Sequence, residues 1–361
     1  MADVLDDFTL FGHTVSSVLR NPRWAASRRA LAGVEIWAGT KAVSRSAAKN
    51  GLKFATIEIE DDAAEQDLTT QIGFEYGVSC LMAVAEGGLA VMAPACSSFV
   101  WASSSRCRRL LENDYEGDTT YGPVVQGNIM AKVAAFYMLL AIARRLFTFW
   151  EQPAGSHMFK LAACRAALEY ASRVCGLREG LCDHCRFSRK PLGLRHKKPF
   201  RLLTTGPQRD WAAPLELRCR CRGKGHVALM SKDVNGKESG NKYMRASQAY
   251  SALFGGAIIA AWLKCTGLRT PSTEAERAGA RSRSPARVVA SDCWRDRSGT
   301  SARPGMLQRS RVAPAAAVSS PASWRDRTAT LSCSLATPAA AAAADWRNRS
   351  SSSSAGWSQR G

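Results

Sequence analysis

The chain has 361 residues, 46% of them apolar, which is enough for a packed core and excludes a wholly disordered polypeptide. Its net charge of +20 is uneven: residues 1–185 hold 18 Lys/Arg against 20 Asp/Glu, a net of −2, whereas residues 186–226 hold 12 against 2, a net of +10. That asymmetry points to an anionic partner, nucleic acid before a membrane surface, with a plain soluble basic surface as the alternative.

Residues 1–30 read as a lead-in with one or two short helices. From Gly33 a β/α rhythm begins. Val34-Glu35-Ile36-Trp37 reads as a buried strand ended by Ala38-Gly39-Thr40, and Lys41 to Asn50 as a helix stopped by Gly51. Phe54 to Ile59 is a second strand running into Glu60-Asp61-Asp62, residues 65–87 are mostly helical, and Gly88 to Pro94 is a third buried strand. Gln126 to Leu146 reads as a long apolar helix and Phe147 to Trp150 as a strand. This alternation predicts an α/β fold, a doubly wound and mostly parallel sheet of Rossmann-like type, covered on both faces. The domain is expected over 31–265, with a basic, Cys-rich, irregular insertion at about 182–226 and an apolar helix from Ser247 to Lys264.

After residue 266 the chain turns to Ala, Ser, Pro and Arg, with 15 Arg and no Lys. A loose repeat (Trp294-Arg-Asp-Arg297, Trp324-Arg-Asp-Arg327, Trp346-Arg-Asn-Arg349) has little else to bury, so a disordered tail over 266–361 is expected. Its Arg and Trp suit nucleic acid, and a functionless extension is the plainer alternative. Met1 to Thr9 is acidic and shows no basic region before an apolar run, so no secretory leader is expected. The longest apolar stretch, Val133 to Ala143, is too short to span a bilayer, and no membrane partner is expected. The 12 cysteines suit free thiols in a reducing, intracellular compartment.

Two segments carry chemistry. Ala93-Pro94-Ala95-Cys96-Ser97-Ser98-Phe99 follows a buried strand, and so does Phe149-Trp150-Glu151-Gln152-Pro153. Each sets one reactive group at the edge of a parallel sheet, where active sites of this architecture lie. A thiolate there is a candidate nucleophile and a carboxyl a candidate general acid. Upstream, the small-residue turn Trp37-Ala38-Gly39-Thr40, with Glu58 about twenty residues on, fits a nucleotide site, although Lys41 stands near the place of a second glycine.

With these segments in this order the chain resembles the cytosine-C5 DNA methyltransferase family. Val34 to Ser44 is similar to that family's first motif, with Trp37-Ala38-Gly39 in the place of Phe-Ala-Gly. Glu58 and then Asp67 match its acidic cofactor contacts. Pro94-Ala95-Cys96-Ser97-Ser98-Phe99 resembles its Pro-Pro-Cys-Gln-Ser-Phe nucleophile motif, and Glu151-Gln152-Pro153 its Glu-Asn-Val/Pro motif. A looser likeness runs through Cys185-Arg-Phe-Ser, Lys197-Lys198-Pro199-Phe200 and Leu203-Thr204-Thr205, which would form late strands beside the site.

The resemblance implies S-adenosylmethionine (SAM) as cofactor, held by Trp37, Ala38, Gly39, Thr40, Glu58, Asp67 and Pro94. It implies a flipped cytosine in DNA, or in RNA as the alternative, attacked at C6 by Cys96 while Glu151 contacts its N3 edge. A nuclear location follows from that substrate and the basic charge. The sequence departs from the family at Ala95 and Gln152, shows no clean Gln-x-Arg-x-Arg motif (Arg195, Lys197, Lys198 and Arg201 are candidates by charge), and lacks a closing Gly-Asn. These departures keep a second reading open: a weak or inactive methyltransferase-like nucleic-acid-binding protein of mobile-element origin.

No metal is assigned from the sequence. Cys182-Asp-His-Cys185 and Cys219-Arg-Cys221 with His226 offer zinc ligands, but the spacing is non-standard and favours unrelated thiols in a basic loop, with Cys185 a packed strand residue. His157 either lines the site or lies on the loop surface.

Overall fold

The computed structural model describes residues 3–25, 30–100, 103–187, 198–221, 226–232, 234, 238–240, 244, 247 and 249–268. Its centre is a six-stranded mixed sheet. The strands are β1 (Leu31–Ile36), β2 (Phe54–Ile57), β3 (Val84–Met92), β4 (Phe147–Pro153), β5 (Arg178–Asp183) and β6 (Pro199–Thr205), in the order β2-β1-β3-β4-β6-β5. The first four lie parallel, and β6 runs antiparallel to both of its neighbours. The expected α/β sheet, mostly parallel, is therefore present, with β6 as its one antiparallel strand and β5 beyond it pointing the same way as the first four.

Alternation along the inner strands divides the core into two layers. Ala90, Met92, Val34, Ile36 and Trp150 face one layer, with α2 (Gln71–Ala83), α3 (Gly122–Ala143) and α4 (Ala162–Cys175). Leu89, Val91 and Phe149 face the other, with α1 (Ala42–Lys49) and α5 (Ala252–Thr266). Such two-sided burial explains the nearly continuous apolar runs of β1 and β3. α3 is long and apolar enough to cross a membrane by length and composition, yet 78% of its most apolar window is buried inside the protein.

Several sequence boundaries shift. The helix expected over 65–87 yields at Val84, because pairing of Val84 with Leu31 draws the chain into β3 four residues early. β1 stops at Ile36, and Trp37 turns away with a φ of 57°. The lead-in is more structured than expected: three short helices and a two-residue strand pairing send Val15, Val18 and Trp24 into the core. The region read as irregular contributes β6 and the end of β5, and the last helix begins at Ala252 rather than Ser247. α5 carries the chain through Thr266, the first residue of the expected tail; from residue 269 that tail and its Trp repeats lie outside the described residues, as do Arg195 and Lys197.

α5 covers α1 closely. A β-carbon at Gly255 would stand 2.3 Å from the carbonyl oxygen of Ala42, whereas one at Gly256 would meet only Ser46 Oγ, at 3.6 Å. Gly255→Ala should therefore destabilise the domain by about 1–3 kcal/mol in urea unfolding, as overpacking against backbone does. Gly256→Ala, a helix-favouring change with room to spare, should be neutral or stabilising by up to about 1 kcal/mol.

Candidate active site

Strand register brings the candidate residues to one edge. Ile36 pairs with Ile57 and with Met92, and Met92 pairs with Trp150. The next residues in each strand's direction are Trp37, Glu58, Ala93 and Glu151, so all four stand at the carboxyl end of the parallel set: the first three open loops, and Glu151 still lies in β4, paired with Leu202 of β6. β2 lies outward from β1, and β4 lies outward from β3 on the other side, so the order reverses between β1 and β3. That switch point is where open α/β sheets form a ligand crevice.

The loop after β1 is tightly wound. Trp37, Gly39 and Lys41 all have positive φ, and the two non-glycine residues hold a conformation that L-residues rarely adopt. Gly39 is exposed, and its N–H donates to Glu58 Oε2 at 2.7 Å. Ala38 is buried and its N–H donates to the carbonyl of Ile57 at 3.1 Å. Trp37 is half-buried, its ring 6.5 Å from that of Tyr137. Asp67 is turned to its own loop, where its Oδ1 accepts from the Thr69 N–H and hydroxyl. Two of the first amides of α1 are already engaged. Buried Glu35 accepts from the N–H of Val43 and Ser44 and from the Ser44 hydroxyl, at 3.3, 2.7 and 2.6 Å. Burial raises the Glu35 pKa, against these bonds.

The end of β4 and the loop after β3 are joined by Gln152. Its side chain is wholly buried; Nε2 donates to the Pro94 carbonyl at 2.6 Å, and Oε1 accepts from Ser156 Oγ at 2.8 Å. Two residues on from Pro94 lies Cys96, half-buried. Burial raises the Cys96 pKa; Lys198 opposes that rise and Glu151 adds to it. Glu151 is buried, and desolvation pushes its carboxyl up to about 7, although Lys198 and a hydrogen bond from Tyr250 both pull it down. The Tyr250 hydroxyl donates to Glu151 Oε2 at 2.8 Å, while Oε1 finds no partner among the described residues. The same Tyr250 accepts, at its carbonyl, the hydroxyl of Thr40 at 2.9 Å. Tyr250 thus links the loop after β1 to the carboxyl.

Sequence reasoning missed Arg109. Its buried guanidinium donates to the carbonyls of Ser98 and Tyr115, to Ser98 Oγ and to Asn128 Oδ1, at 2.7–3.0 Å, and lies 3.8 Å over the Phe99 ring. It fixes the far side of the Cys96 loop. His157 packs edge-on against Tyr115, 5.3 Å away, and its N–H donates to the Phe99 carbonyl. Of the two basic candidates among the described residues, Arg201 pairs with Glu179 across β5 and β6 at 3.2 Å, and Lys198 is the cation that acts on both Cys96 and Glu151.

Comparison of the chain with protein-family models and with curated proteins finds no match in either.

Two predictions follow from this geometry. Glu151 holds its proton in the folded state up to about pH 7, whereas an unfolded glutamate loses it near 4.5. Between those values the folded state binds more protons, so stability falls as pH rises, by up to about 3 kcal/mol, and is flat above pH 7. Glu151→Gln should remove that slope in urea unfolding from pH 5 to 8, and Tyr250→Phe, which deletes a bond to the charged form, should carry the slope to higher pH. Arg109→Ala should cost about 3 kcal/mol or more, because it strands buried acceptors and empties the space over Phe99. Arg109→Lys should recover less than half of that loss, since an ammonium cannot span Ser98 and Asn128 together.

Proposed function

We propose that this chain is a SAM-dependent methyltransferase acting on C5 of cytosine in DNA, with Cys96 as nucleophile and Glu151 as the group that meets the base. The observation that carries this reading is a buried carboxyl with a pKa near 7, near the end of a strand that is hydrogen-bonded to the loop bearing a half-buried cysteine. A carboxyl tuned to neutrality is fit to donate a proton, and the unpartnered Glu151 Oε1 is an orphaned buried atom of the kind a bound base would satisfy.

Cys96 adds through its sulfur to C6 of the flipped cytosine, and the electron pair of the C5–C6 bond moves toward C5 as Glu151 holds a proton at N3. Lys198 favours the thiolate needed for that attack. SAM, when bound, supplies the electrophilic methyl group that C5 takes. Loss of the C5 proton then expels Cys96 and restores the ring. Gly39 and Glu58 at the ends of β1 and β2 suit a ribose-bearing cofactor, and the strained loop at Trp37 and Lys41 is a feature found at ligand sites. The basic residues after position 185 supply phosphate contacts, which give affinity without reading sequence.

The second reading, nucleic-acid binding without methylation, keeps its support in the departures at Ala95 and Gln152 and in the missing late motifs. The full-length protein, mixed with SAM and a duplex containing 5-fluorocytosine, should form an adduct that survives denaturation, because fluorine at C5 blocks the final elimination. Cys96→Ser should abolish the adduct. Salt-sensitive DNA binding with no adduct, over duplexes of varied sequence, would overturn the catalytic reading in favour of the second.

A further inference from the structure

Beyond the sheet edge, on the far side of β5, three thiols and an imidazole converge. The ligand atoms of Cys185, Cys219, Cys221 and His226 all lie within 4.8 Å of one another, and Cys219 Sγ is 3.5 Å from His226 Nε2. A tetrahedral zinc ion with Zn–S bonds of about 2.3 Å needs neighbouring ligand atoms about 3.8 Å apart, so a contraction of no more than about 1 Å would close the set. We propose that these four residues bind one zinc ion as a structural Cys3His site.

Ligand chemistry and placement support the choice. Three thiolates and one imidazole are soft donors that select zinc over magnesium or calcium, and four protein ligands leave no open position, as in sites that hold structure rather than react. Cys185 sits in the single turn His184–Phe187 that follows β5, and Cys219 and Cys221 come from the segment that returns to the end of β5 through Leu217. Buried Asp183 anchors that return: its Oδ2 accepts from the Cys219 N–H at 2.6 Å and pairs with Arg218 at 3.3 Å, and its N–H donates to the Leu217 carbonyl at 2.9 Å. The Cys221 N–H donates to Cys219 Sγ at 3.4 Å, a bond that strengthens when the sulfur carries negative charge. Three thiolates around a divalent ion leave one net negative charge, and Arg186 and Arg220 stand beside the ligands in sequence to offset it. Cys182 is no ligand, although the sequence offered it: it is wholly buried in the apolar layer under Phe200 and Phe254. The sequence spacing misled because the pairs are unequal, one cysteine from the first and two from the second, with the return of the chain supplying the rest.

This site does not depend on the methyltransferase reading. Untagged full-length protein, expressed with zinc in the medium and purified under reducing conditions, should carry one equivalent of zinc by plasma mass spectrometry. The Cys219→Ser/Cys221→Ser double variant should fall to the buffer background, while Cys265→Ser keeps its metal. If the double variant fails to fold, cobalt decides: the wild-type protein stripped by chelator and reloaded with Co(II) should show thiolate-to-cobalt charge transfer and the visible bands of tetrahedral coordination. Folded wild-type protein that holds no zinc and takes up no cobalt, a double variant that retains zinc, or a disulfide among the three cysteines in protein freshly isolated from reducing cells would each overturn the proposal.

Discussion

Gln152 makes two strand ends into one site. Its amide is sealed from water, so each of its polar atoms has to find a partner inside, and the partners it finds are the Pro94 carbonyl and the Ser156 hydroxyl. A buried amide left unmatched costs about 1–3 kcal/mol, enough to make any slippage of β3 against β4 unfavourable. Two residues beyond Pro94 is Cys96, and two beyond that is Ser98, gripped by Arg109. The cysteine is thereby held between two fixed points, with a strand-end anchor on one side and a buried guanidinium on the other. The half-buried cysteine is presented by a loop that has little freedom to move.

The same burial that fixes the loops sets the charge at the site. Desolvation favours the neutral forms of both Glu151 and Cys96, and Lys198 favours the charged ones. For Glu151 the balance falls near neutrality. Lys198 immediately precedes β6 and Tyr250 lies just before α5, so residues from the last third of the described domain tune a carboxyl carried by β4. The antiparallel pair β5 and β6 matters here for more than sheet width. Without β6 beside β4, the Lys198 charge would have no fixed place near the carboxyl.

What could be read in the sequence was local. The ends of β1, β2, β3 and β4 are marked by short apolar runs followed by small or reactive residues, and the register sets those ends in line. β5 was harder to see, since Arg-Glu-Gly-Leu-Cys-Asp has neither the apolar run of a central strand nor a clean alternation. Arg109 and Tyr250 were invisible for a different reason. Most acceptors of Arg109 are main-chain carbonyls, which leave no trace in residue type, and Tyr250 meets Glu151 across 99 positions. The early start of β3 shows pairing overriding local helical tendency, as sheet context commonly does.

The glycine-poor loop after β1 takes on a different meaning beside Glu35. In a dinucleotide site a second glycine lets the backbone approach a pyrophosphate, and the free amides of the following helix hold it. Here two of the first amides of α1 are already satisfied by a buried carboxylate, and Glu58 closes the other side of the loop through Gly39. The only nearby cation on the loop, Lys41, is engaged with Asp61 at 2.5 Å. A polyanionic phosphate brought to this edge would meet carboxylates where it needs donors. A ligand with ribose hydroxyls and a positive centre meets no such conflict, and the proposed sulfonium cofactor has that character. The missing glycine argues against a pyrophosphate ligand and leaves the proposed cofactor untouched.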